Sequence, residues 1–182
     1  MGLIIAIIVV VLIIGWVIGI YNSLVTLRQK VRNSWSQIEI QLQRRFDLIP
    51  NLVETVKGYA KHEKETFTEV IEARNKAVNA GSVNEKIEAN NELTGALNKL
   101  FALAEAYPEL KANENFLSLQ NDLKDTEDKI TYARQFYNDS AMSFNNLVQM
   151  FPSNIVANMF NFKKFEYFKA DEKEKEVPKV EF

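Results

Sequence analysis

Residues 3–20 read LIIAIIVVVLIIGWVIGI, and residues 21–46 continue YNSLVTLRQKVRNSWSQIEIQLQRRF. The first stretch holds eighteen residues without one polar side chain. As a helix rising 1.5 Å per residue, with Gly2 and Tyr21 added, it covers roughly 30 Å, the hydrocarbon thickness of a bilayer. The core helix of a soluble domain would keep a polar face. A cleaved signal peptide would carry a basic start and a small-x-small cleavage site, and neither is present. A myristoylation signal needs Ser or Thr at position 6, where this chain has Ala6. Trp16 and Tyr21 lie toward the far end, where aromatic rings favour the headgroup layer. Residues 1–21 are therefore expected to form an uncleaved transmembrane anchor, with the span running from Leu3 to Ile20. Gly15 and Gly19 form a GxxxG pair that lets two such helices approach closely, so a homo-oligomer is one expectation.

Charge gives the orientation. No ionic side chain precedes Arg28; then come Arg28, Lys30, Arg32, Arg44 and Arg45 against a single acid, Glu39, up to position 45. The positive-inside rule places the domain that follows in the cytoplasm and the N-terminus outside, as in a single-pass protein of the cell membrane.

Beyond the anchor the apolar pattern is helical. Leu24, Leu27, Val31, Trp35, Ile38, Leu42 and Phe46 step by three and four, a heptad-like seam. Pro50, in Asp47-Leu-Ile-Pro-Asn51, is expected to break that helix and open the next. A second stripe runs from Leu52 through Val56, Phe67 and Val70 to Ala77, and ends at Gly81. Ser82-Val-Asn-Glu85 then has the form of a capping box. A third stripe is Ile87, Thr94, Leu97, Leu100/Phe101 and Ala104, closed by Tyr107-Pro108. A fourth runs from Phe116 through Leu123, Ile130, Tyr137 and Phe144 to Val148, and Phe151-Pro152 stops it. Short connections between four amphipathic helices predict an all-α fold, an antiparallel four-helix bundle over residues 22–150. Glycine scarcity agrees, because only Gly58, Gly81 and Gly95 remain after the anchor and all-β folds need turn glycines far more often.

Residues 151–170 are aromatic and mixed with lysines. They are expected to pack on the bundle, or to lie on the membrane surface toward which a fourth helix returns. Residues 171–182, DEKEKEVPKVEF, read as a disordered polar tail.

Little in the chain points to chemistry. There is no cysteine, which removes disulfides, thiol catalysis and Cys-based zinc sites. One histidine, His62, lies in a charged run and cannot supply the two Glu-x-x-His pairs of a di-iron bundle. No Gly-rich loop is present for phosphate, and a net charge of −2 disfavours nucleic acid. No catalytic residue, metal or cofactor is expected, and the chain is read as non-enzymatic. Four charges nevertheless fall on apolar stripes: Glu63 and Arg74 on the second helix, Glu127 and Arg134 on the fourth. Unpaired burial would be costly, so they are expected to pair across the bundle as a charge network or to lie at seam edges, with a polar groove for a partner as the other reading.

The run YNSLVTLRQKVRNSWSQIEIQLQRRFDLIPNLVETVKGYAKHEKETFTEVIEARNKA (21–77) closely resembles the LemA family, as do YPELKANENFLSLQNDLKDTEDKITYARQFYN (107–138) and FPSNIVANMFNF (151–162). Matching positions include Arg44, Arg45, Pro50, Glu63, Arg74, Glu127, Arg134, Tyr137, Asn138 and Asn145. Phe144 departs from the tyrosine that the family often carries there. The resemblance implies a bacterial single-pass membrane protein with a helical bundle, and it supplies no established activity. Some relatives are encoded near membrane metalloproteases. The expected function is a membrane-tethered scaffold or adaptor with the bilayer and a membrane or cytoplasmic protein as partners. The alternative is a regulatory partner of a membrane protease in envelope quality control.

Overall fold

A computed structural model describes residues 1–168; the tail expected at 171–182 lies outside the described residues. The described chain contains helices and turns and no strand, as the sequence predicts. In order these are α1 (Gly2–Lys57), α2 (Lys64–Asn79), α3 (Val83–Glu105), the single turn α4 (Pro108–Lys111), α5 (Glu114–Gln149) and α6 (Ser153–Met159). Packing divides the described chain into two compact units, Gln37–Tyr132 and Met1–Ser36 with the described residues from Ala133.

The unit of residues 37–132 is a bundle of four helices, built from the second part of α1, α2, α3 and the first part of α5. Lys76 pairs with Glu92 at 2.6 Å and Lys99 with Glu69 at 2.5 Å, so α2 and α3 run in opposite directions. Lys86 pairs with Glu39 at 2.5 Å and Arg45 reaches Thr94 at 2.8 Å, so α1 and α3 run the same way. First and third helices are parallel in an up-down-up-down bundle. Ile38, Leu42, Ile49, Leu52, Val56, Phe67, Val70, Leu93, Leu100, Leu123 and Ile130 are buried in the core. The capping box forms at the start of α3: Glu85 N–H donates to Ser82 Oγ at 3.2 Å, and the Glu85 carboxylate accepts from Ser82 N–H at 3.1 Å and Gly81 N–H at 2.9 Å. Those N–H donors, Gly81 foremost, hold the Glu85 carboxyl below the usual carboxylate range. The buried face of α3 is Ala89, Leu93, Ala96, Leu97, Leu100 and Ala104, rotated from the expected stripe. Its alanines permit close packing along α2, and Thr94 turns toward Arg45.

The helix break expected at Pro50 does not occur. α1 continues through Pro50 to Lys57. A proline inside a helix leaves the carbonyl four residues earlier without its N–H. That carbonyl belongs to Phe46, and it accepts from Arg74 Nε on α2 at 3.2 Å. The chain instead turns at residues 58–63, where Gly58 and the residues after it leave the helix. Arg74→Met should therefore cost about 1–2 kcal/mol, the penalty of a buried acceptor left without a donor. Pro50→Ala restores the backbone donor and should remove much of that cost. A double-mutant cycle by chemical unfolding should read a coupling of about 1 kcal/mol, and additivity would disprove the pairing.

In the other unit, the first part of α1 and the second part of α5 lie antiparallel. Ser34 Oγ is 3.3 Å from Ser140 Oγ, and Trp35 meets Tyr137 edge-on at 5.9 Å. α6 buries Ser153, Val156 and Ala157. Its end is a Schellman turn: Phe162 N–H donates to Ala157 O at 2.9 Å and Asn161 N–H to Asn158 O at 3.1 Å. Asn161 takes the left-handed conformation this turn requires, with φ 55°.

From there residues 162–168 run extended along α5. Asn145 holds Phe165 twice, Nδ2 donating to its carbonyl at 2.8 Å and Oδ1 accepting its N–H at 2.9 Å. Asn138 grips Phe168 in the same way, at 3.0 and 2.9 Å. The spacings explain the match, since seven helical residues rise about 10.5 Å and three extended residues span about 10 Å. Phe144 lies between these clamps, with the Phe165 ring 5.2 Å away and Phe162 at 6.2 Å.

Tyr137 OH donates to the Glu166 carbonyl at 3.0 Å. Burial holds its phenol above the usual tyrosine value, and the negative charge of Glu166 adds to the effect. The folded chain thus keeps this proton where the unfolded chain has lost it. Its contribution is complete below pH about 10 and disappears as pH rises through the higher folded value. Unfolding titrations should show stability falling above pH about 10 in the wild type, with a shallower fall in Tyr137→Phe.

Candidate functional site

Arg45 occupies a core position. Leu42, Arg45, Ile49, Leu52 and Val56 step by three and four along one face of α1, and the Arg45 side chain is only 4% exposed. Such burial of a guanidinium needs compensation. Nη1 lies 2.9 Å from Glu127 Oε2 on α5, and Nη2 donates to Thr94 Oγ1 on α3 at 2.8 Å. Thr94 passes its own proton to the Asn90 carbonyl at 2.9 Å. Three helices of the 37–132 unit are thereby tied at one point.

These groups form the floor of a cleft of about 480 Å³ between α1, α3 and α5. Leu97, Phe101 and Leu123 supply its apolar wall, while Asn98, Gln120, Asn121, Lys124 and Asp128 carry the polar rim. Aromatic and apolar area with a few polar groups is the composition of a recognition site. The guanidinium is neutralised by Glu127 and the threonine proton is committed to a carbonyl. An incoming polar segment would therefore meet a charge-balanced floor, with Asn98, Gln120 and Asn121 on the rim as its hydrogen-bonding partners. Among the described residues, no group of three or more His, Asp or Glu side chains could hold a metal ion.

The four stripe charges do not meet as one network. Glu127 is paired with Arg45. Arg74 serves the Phe46 carbonyl and also donates to Asn75 Oδ1 at 3.2 Å. Glu63 precedes α2 and makes no capping hydrogen bond with its side chain. Eleven residues separate it from Arg74, about 16 Å along one helix. Arg134 belongs to the other unit, where its guanidinium lies 5.6 Å from the centre of the Phe168 ring. Thr94, which the sequence shows only as a stripe residue, and Asn138 and Asn145, which it shows only as family-matching positions, make the contacts that matter locally. Beyond the family resemblance, Asn138 and Asn145 stand out by being seven apart and adjacent to the stripe residues Tyr137 and Phe144.

At the other end of α1, Leu3 through Trp16 are exposed, and an 18-residue window has mean hydropathy 3.4. A Cβ added at Gly15 or Gly19 would meet nothing within 4 Å. By length and composition this is a helix able to cross a membrane.

Comparison with known proteins gives a consistent picture. The family model described as LemA family matches residues 34–182. Magnetosome protein MamQ of Magnetospirillum gryphiswaldense is 28% identical over 174 residues, covering 81% of this chain and 64% of its own length. Magnetosome protein MamQ 2 of Paramagnetospirillum magneticum is 26% identical over the same extent of both chains. Protein LemA of Metamycoplasma hominis is 28% identical over 162 residues, 87% of this chain and 73% of that protein. The chain thus spans less than two thirds of the MamQ proteins. With the apolar α1, these relatives make it a membrane-associated helical protein.

Proposed function

The chain belongs to the LemA family, and from that premise we propose that it is a non-enzymatic scaffold or adaptor, tethered by α1 and presenting its helical bundle to a protein partner. One observation carries this reading: an exposed apolar segment of membrane-spanning length continues as a single unbroken helix into a bundle core. Exposed apolar surface of that size is unstable in water and stable in lipid. An anchor also raises the bundle's effective concentration toward other membrane proteins, which favours binding through a modest cleft. The excess of Arg and Lys just after the span supports a cytoplasmic bundle with the N-terminus outside.

A photo-crosslinking amino acid at Asn98 or Lys124, on the cleft rim, tests the adaptor reading in cells. The expected result is a discrete adduct with another membrane or cytoplasmic protein. A membrane protease in the adduct would favour the regulatory-partner reading, and adducts of the chain with itself alone would replace the adaptor with a self-assembling structural protein. Reproducible substrate turnover by the purified protein would overturn all three. Orientation is tested separately, since the absence of native cysteine makes labelling specific. Ser82→Cys should resist a membrane-impermeant thiol reagent in intact cells, and labelling from outside would reverse the orientation.

A further inference from the structure

A row of apolar side chains around α6 serves neither the span nor the cleft. Phe151 is 80% exposed, and Ile155, Met159 and Phe160 are about half exposed or more. α6 contains no charged residue, and its buried side is Ser153, Val156 and Ala157. Ile155 and Met159, one turn apart, consequently share the outward face. A contiguous apolar patch left open on a protein surface marks an interaction site.

The depth of this patch relative to α1 follows from contacts within the unit that contains both. The Phe160 ring lies 4.7 Å from Tyr21, the residue directly after the apolar run. Ser140 faces Ser34 across antiparallel helices, and equal rise along the two places Met150 level with about residue 24. Exposure on α1 agrees: residues 3–16 are open, whereas Val17 and Ile20 are partly covered. Protein packing against α1 therefore begins inside the apolar run, before its end. Basic side chains follow at once, with Lys163 and Lys164 exposed on the chain leaving α6.

We propose that α6 is a second membrane contact, an interfacial segment whose Phe151, Ile155, Met159 and Phe160 enter the leaflet from which α1 emerges, with Lys163 and Lys164 directed to anionic headgroups. The proposal rests on the reading of residues 3–20 as a span. Lipid is the occupant because the patch adjoins the end of that span, where acyl chains and headgroups surround α1 on every open side. Apolar residues followed by lysines match the layering of that boundary. A single span leaves the tilt of a helix loosely set, and a lateral interfacial anchor restrains it. α6 would thus fix how the unit stands on the membrane.

The test uses the full chain in vesicles of phosphatidylcholine mixed with phosphatidylglycerol, spin-labelled at single cysteines. Labels at Ile155→Cys and Met159→Cys are compared with Val10→Cys in the span and Asp139→Cys, exposed on α5 about 20 Å beyond Tyr21. The ratio of oxygen to nickel-chelate collisions should be several-fold higher at 155 and 159 than at 139, and lower than at 10. Water-like ratios at 155 and 159 with a deep label at 10 would overturn the interfacial contact while leaving the anchor intact. A water-like ratio at 10 would overturn the anchor and this proposal with it. Shielding from both colliders with spin–spin broadening would show that a second copy covers the patch, and would also overturn it.

Discussion

Phe144→Ala is expected to destabilise the protein by about 3–5 kcal/mol and to free residues 162–168 from α5. Phe144 is the largest side chain with no exposed surface in the structure. Its ring is the common contact of Phe162 and Phe165, both edge-on. Alanine removes the surface on which the extended segment lies, and the amide clamps at Asn138 and Asn145 are then exposed to competing water. Phe144→Leu keeps much of the volume and should cost less. Asn145→Ala separates the two contributions, because it deletes both hydrogen bonds to Phe165 and leaves the aromatic core in place. Chemical unfolding of the full chain in detergent gives the energies, and amide exchange at residues 162–168 reports release. Protection of those residues unchanged in Phe144→Ala would show that the asparagine clamps hold the segment unaided.

The parts legible in the sequence are those governed by local rules. Eighteen apolar residues in a row, stripes stepping by three and four, and a Ser-x-x-Glu box each depend on neighbours within a turn or two. The errors arise where a distant residue supplies what the local rule says is missing. Pro50 breaks a helix by stranding the Phe46 carbonyl, and nothing near it in the chain signals that Arg74 will cap that oxygen. Placing the break there also cut the α1 seam at Phe46. Position 45 then loses its place in the series Ile38, Leu42, Ile49, and Arg45 stands out in the sequence as part of the basic excess after the span and as a family-matching position, not as a core residue. Without Arg45 on the seam, Glu127 has no visible partner in the sequence and falls with Arg134 on the apolar stripe of the fourth helix. The C-terminal segment was ambiguous because its aromatics do two things. Phe162, Phe165 and Phe168 pack onto the helices, whereas Phe151 is open and Phe160 sets one side against Tyr21 while staying half exposed, and periodicity has no meaning in a chain that changes from helix to extended within ten residues.

Glu127→Ala should cost about 2–3 kcal/mol, less than the 3–5 expected for breaking a wholly buried ion pair, because its carboxylate is partly exposed and water screens it. The loss falls on Arg45, whose guanidinium stays buried while its facing charge is gone. Replacing both partners behaves differently. Arg45→Met with Glu127→Leu removes the desolvation cost as well as the attraction, and comparable exchanges elsewhere are neutral or stabilising. The double variant should therefore unfold within about 1 kcal/mol of the wild type, well above the single variant. That comparison tells the two purposes of the pair apart. If the ion pair exists to fix helix register, the double variant should lose cooperativity of unfolding, and crosslinks from the cleft rim should persist wherever folding persists. If it exists to present a polar floor to a partner, the double variant should unfold as sharply as the wild type and lose the crosslinks from Asn98 and Lys124. The geometry favours the second outcome. The Lys86–Glu39 ion pair also ties α3 to α1 and survives the double exchange, so register does not depend on Arg45 and Glu127 alone, whereas Arg45 and Glu127 themselves line the cleft.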